Sequence, residues 1–242
     1  MPIPTVVREV RAFLSASLVR PVERQRDETP ESRRRRRIVV GVTLVIGAVA
    51  LGLALAVRPG DPLFYAATLG VAAIWTVGAL VSGPLHLGEG HTRDGGRSRG
   101  VVQGILLGLG LMGIFLAGAL VVEQIPLLRG PVLDLLDHAR FGSLWVVALV
   151  TVINGIAEEL FFRGAVYASL DSRFNGIGST LLYAASTLFS GVPLLTFAAL
   201  CLGLLTAAQR RVTGGVLGPI ASHLTWSLGM LFLLPPILTP GG

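Results

Sequence analysis

Three ionisable side chains lie within six positions of an otherwise apolar run, Ala157-Glu158-Glu159-Leu160-Phe161-Phe162-Arg163-Gly164. Charge inside a membrane-length apolar segment is expensive, so each group needs a reason. On a helix, Glu159 and Arg163 are i and i+4 and can form an ion pair. Glu158 points about 100° away and is not neutralised by that pair. A carboxylate without a cation of its own, held in a low-dielectric bundle, suits a general base for water. A salt-bridged helix end facing the cytoplasm would explain a lone Glu–Arg pair. Two adjacent Glu flanked by Ile156, Leu160, Phe161 and Phe162 favour chemistry.

The second feature is His223 in Ser222-His223-Leu224-Thr225-Trp226-Ser227. A lone His on an apolar helix is usually satisfied by packing, but depth changes the weighting. Glu158 lies nine residues before Tyr167 and His223 nine after Gly214. At 1.5 Å per residue, both sit roughly 13 Å from the same end of antiparallel helices. Ser227 shares the face of His223, and Asn154 shares that of Glu158.

The elements that position these groups are read from composition. The 242 residues are 52% hydrophobic and only 14% charged, far below the roughly 25% of a soluble domain. This excludes a soluble globular protein, a disordered chain and a nucleic-acid-binding module. The expectation is an all-α polytopic transmembrane helical bundle of about seven spans with a cytoplasmic N-terminus. The spans are placed at about 38–57, 64–83, 101–122, 142–167, 176–189, 194–208 and 214–234. Residues 1–37 form a basic tail with an amphipathic interfacial helix. Residues 38–140 form N-terminal helices and loops, 141–236 the core carrying the charged pair, and 237–242 a short tail. No cleavable signal peptide is expected, because no apolar core follows the start closely.

All 20 basic residues are Arg, ten of them within the first 37 positions. The run 33–37 could bind nucleic acid, but directly before a long apolar stretch it serves to hold the chain inside. Loops on the expected inner side hold 10, 3, 1 and 2 Arg, and the outer ones 1, 2 and 0. The absence of Lys hints at a GC-rich source. Segment 123–140 reads as interfacial. The single Cys201 reads as a free packed thiol. His86 and His91 flank Glu89 in what reads as a flexible solvated loop, and His138 sits at the outer interface. Gly108, Gly110 and Gly229 suit close helix packing.

Glu158-Glu159-x-x-x-Arg163 followed by His223-x-x-x-Ser227 resembles the CPBP family of intramembrane proteases. That family includes type II CAAX prenyl endopeptidases and bacteriocin-processing and immunity proteins. The resemblance covers about residues 140–234. It implies that Glu158 activates the attacking water and that Glu159 and Arg163 support its helix. It also implies that His223 binds a metal or polarises the scissile carbonyl, while Ser227 can donate to the oxyanion. The family's middle motif, Phe-x-x-x-His, corresponds here to Tyr183-Ala184-Ala185-Ser186-Thr187, so Thr187 stands where the His would be. A divalent metal such as zinc would then have Glu158 and His223 as its only strong ligands, an incomplete set. The expected activity is hydrolysis of a membrane-anchored or hydrophobic peptide at a bacterial inner membrane, with the lipid bilayer as the other partner. The alternative is an inactive scaffold or immunity-type binding protein. A proton-relay transporter has less support, since no internal repeat is visible.

Overall fold

The computed structural model describes residues 5–21, 29–58, 60–92, 96–140 and 143–238, apart from a few side chains. It is an all-α polytopic bundle. The helices are α1 (Thr5–Leu14), α2 (Pro30–Leu55), α3 (Leu63–Ser82), α4 (Val101–Val122), α5 (Pro126–Arg140) and α6 (Leu144–Glu159), then α7 (Tyr167–Ser169), α8 (Asn175–Thr187), α9 (Pro193–Thr213) and α10 (Leu217–Leu238). A π-helical turn, Leu160–Val166, joins α6 to α7, so one continuous rod runs from Leu144 to Ser169. The strands β1 (Gly90–His91) and β2 (Arg97–Ser98) form a minimal antiparallel hairpin.

Six helices among the described residues are long and apolar enough to cross a membrane. The segment expected as the fifth span is the short α8, about 20 Å long against a hydrocarbon core of about 30 Å. The first spanning helix begins at Pro30, ahead of the expected start at 38. Thr29 is its N-cap, accepting from the Ser32 amide at 3.2 Å, with Pro30 in the first turn and Glu31 favoured by the helix dipole. The arginine run is therefore helical, with its side chains reaching other helices. Arg35 donates to Val81 O at 3.1 Å, and Arg36, fully buried, reaches Ser82 Oγ and Pro84 O. Arg37 donates to Ser169 O at 3.0 Å and pairs with Asp171. These contacts satisfy carbonyls at or just beyond the C-terminal ends of α3 and α7.

Ile38, Val42, Val45, Ile46, Val49 and Leu53 on α2 are exposed, the face a helix turns to lipid. Inside, Trp75 of α3 is fully buried and stacks on Phe161 at 4.7 Å, while Phe162 packs on Tyr183 at 4.8 Å. Gly47 leaves the space that the Trp75 indole fills. α4 lies along α10. Gly104 and Gly108 permit that approach, and Ser222 Oγ donates to Gly104 O at 2.7 Å. Gly229 likewise makes room for Met112, whereas Gly110 faces open space and takes no part.

The loop expected to be flexible is instead pinned. Val216 N and Leu217 N donate to His86 O and Leu87 O, both at 3.0 Å, and Glu89 N donates to Thr213 O at 2.9 Å. The first amides of α10 have no intrahelical acceptor, and the loop backbone supplies one. Gly214, at φ 62°, ends α9 in the left-handed conformation that glycine adopts without strain. Segment 123–140 is largely the helix α5, whose Val132 and Leu136 pack on Leu238. Its Arg129 closes the α10 terminus at Leu238 O. The side chain of His138 lies outside the described residues. Cys201 is a free, partly buried thiol.

Candidate active site

The π-helical turn begins directly after Glu159 and rotates the helix face beyond it, a distortion frequent at functional sites. The Glu159 side chain is fully buried. Its Oε2 lies 3.4 Å from Arg163 Nε, while its Oε1 meets His223 Nδ1 at 2.9 Å. This carboxylate therefore joins two helices through two cationic or donor groups. The hydrogen bond fixes the imidazole plane, and an N–H on Nδ1 leaves Nε2 as an acceptor.

His223 Nε2 faces the other carboxylate, 3.9 Å from Glu158 Oε2. That separation is too long for a direct hydrogen bond and short enough for one water to contact both. Gly155 sits beside the imidazole; a Cβ there would meet Leu224 at 2.9 Å and the ring at 3.6 Å. Glu158 remains 16% exposed and the His223 side chain 7%, so the pair is nearly enclosed, with an opening at the carboxylate.

A residue whose importance the sequence did not signal completes the cluster. Tyr183 of α8 donates its hydroxyl to Glu158 Oε2 at 2.7 Å. Its ring carries the Arg163 guanidinium at 4.8 Å, a cation–π contact that compensates Nη1 and Nη2, which have no hydrogen-bond partner. Arg210, counted from sequence among loop charges, is buried. Its Nε donates to Arg163 O at 2.7 Å, and its guanidinium lies over the Tyr167 ring.

Thr187 lies one turn beyond Tyr183. Its hydroxyl donates to Ala184 O at 2.7 Å and contacts Thr196 Oγ1 at 3.1 Å. Ser227 makes only a long local contact, 3.5 Å to Leu224 O, and Asn154 donates to Val150 O at 3.0 Å. The tight cluster is thus Glu158, Glu159, Arg163, Tyr183 and His223.

Residues 140–229 match the family described as Rce1-like, type II CAAX prenyl endopeptidase. This segment is similar to that family. Every cluster residue, with Thr187 and Ser227, lies inside it. Comparison with curated proteins and with solved structures gives no match. The name describes membrane endopeptidases of the CAAX type, consistent with a multi-pass chain whose charged groups are inside the bundle.

No group of three or more His, Cys, Asp or Glu side chains among the described residues could hold a metal ion. Glu159 is already committed to Arg163 and His223 Nδ1. That leaves Glu158 and His223 Nε2, one protein ligand short of a catalytic zinc site.

Proposed function

We propose that the chain is an intramembrane endopeptidase in which Glu158 activates water and His223 assists. The observation that carries this reading is the 3.9 Å gap between Glu158 Oε2 and His223 Nε2, behind which Glu159 holds Nδ1. A water in that gap can hydrogen-bond to both groups. Its oxygen attacks the scissile carbonyl carbon while Glu158 takes its proton. The C–N bond of the tetrahedral intermediate then breaks, and the proton passes to the leaving amine. The acid–base step is worth about 10²- to 10⁴-fold in rate. With only two candidate ligands, the reading needs no metal. The substrate is a membrane-anchored or hydrophobic peptide reached from the bilayer, in a bacterial inner membrane with the arginine-rich ends of the helices inside. Ser227 and Thr187 would assist only after rotamer changes that free their hydroxyls.

The test uses the full chain reconstituted in phospholipid vesicles with internally quenched peptides, one prenylated at a C-terminal CAAX sequence and others anchored by an apolar helix. Cleavage is expected to persist in excess chelator and to fall at least about 100-fold in Glu158→Gln at unchanged thermal stability. Full turnover by Glu158→Gln would overturn the mechanism. The competing reading is an inactive scaffold, favoured by Thr187 in place of a middle-motif His. It predicts no cleavage of any anchored peptide by the unaltered chain.

A further inference from the structure

Glu158 has a requirement that its own helix does not meet. A base must present a defined oxygen to water, and a Glu side chain has three rotatable bonds with which to turn away. The neighbouring cation is directed elsewhere, because Arg163 Nε lies on Glu159. Among the described residues, the one hydrogen-bond donor that meets Glu158 is the Tyr183 hydroxyl, at 2.7 Å on Oε2.

That hydroxyl is itself held from several sides. Tyr183 is buried, its ring packed against Phe162 at 4.8 Å, covered by the Arg163 guanidinium at 4.8 Å, and 6.5 Å from the His223 ring. A ring fixed by three neighbours gives its hydroxyl little freedom. The phenol is also a polar group in an otherwise apolar contact, where Phe would fill the same space without needing a partner. Its burial is accounted for by the carboxylate it meets.

Resting on the endopeptidase reading above, we infer that Tyr183 is a positioning residue for the base: its O–H fixes Glu158 Oε2 beside His223 and leaves that oxygen's other lone pair to take the proton from the water between them. Thr187, one turn along α8, does not substitute, because its hydroxyl is engaged by Ala184 O and Thr196. α8 thus contributes to the site through an aromatic hydroxyl.

The experiment compares the full-length chain, Glu158→Gln, Tyr183→Phe and Tyr183→4-aminophenylalanine in the same vesicle assay. Phe keeps the ring packing, and the amino variant restores a donor at the para position. Loss of one hydrogen bond to a charged group is expected to lower kcat on the order of 10- to 100-fold in Tyr183→Phe. KM and the thermal midpoint should stay unchanged, and the amino variant should recover most of the loss. A role in packing alone predicts full kcat for Tyr183→Phe. A role in stability alone predicts a lowered midpoint and no kcat–KM split. Either result, with Glu158→Gln inactive, overturns the Tyr183 inference and leaves the endopeptidase reading standing. If the amino variant stays as slow as Tyr183→Phe, the donor role is likewise overturned. An active Glu158→Gln, or an unaltered chain that cleaves nothing, overturns the endopeptidase reading and this inference with it.

Discussion

Arg35 and Arg37 direct their guanidinium groups at exposed or half-exposed helix ends, where carbonyls lack partners and water competes for them. Arg163, in the same bundle, is sealed among Glu159, the Tyr183 ring and Gly203. The residue type is the same and the physics differs. At the helix ends a guanidinium is one donor among many, and its charge is screened. Inside, it is the counter-charge that lets Glu159 be buried at all, and its removal strands a carboxylate in low dielectric. The comparison separates orientation of the chain from construction of the site.

The largest test of that contrast is Arg163→Ala. Breaking a buried pair by removing one partner costs about 3–5 kcal/mol, so unfolding in detergent should shift strongly. A small shift would mean that Glu159 is compensated by His223 alone. Next is Gly108→Val, which probes the α4–α10 contact away from either arginine group. A Cβ there meets Ser222 O at 2.6 Å and Thr225 Cβ at 2.9 Å, so overpacking should cost roughly 1–3 kcal/mol. The smallest effect is expected for Arg37→Ala. Its partner Asp171 has 71% side-chain exposure and Arg37 has 51%, so the loss should stay below about 1 kcal/mol and shrink further with salt. An Arg37 effect as large as that of Arg163 would erase the distinction.

Much of the bundle was legible because hydropathy is a local property. The long apolar runs became helices close to their expected places. The start of α2 was misplaced because a charged run interrupts the apolar signal, although Thr29-Pro30-Glu31 carries a helix-start pattern. The pinned 84–89 loop could not be foreseen. Its partners are backbone amides of Val216 and Leu217, distant in sequence, and backbone groups leave no signature in residue type. At the candidate site, Glu158, Glu159, Arg163 and His223 stood out because charge in an apolar span has few explanations. Tyr183 did not, since a Tyr in an apolar helix usually reads as core, and only its neighbour across the bundle shows what its hydroxyl meets.

The sequence by itself determined an all-α membrane bundle, an arginine bias between its ends, and a carboxylate pair at the depth of one histidine. These follow from composition, from 3.6-residue periodicity and from rise per residue, all fixed along a single helix. Only the tertiary structure decided that Glu159 takes Nδ1 while Glu158 faces Nε2, and that α8 supplies a phenol. Those pairings depend on the rotation of each helix about its axis, while the π-helical turn after Glu159 re-aims the residues beyond that point, Arg163 among them. Rotation is set by packing between helices, by Trp75 against Phe161 and by α10 against Gly104 and Gly108, and no single segment encodes it.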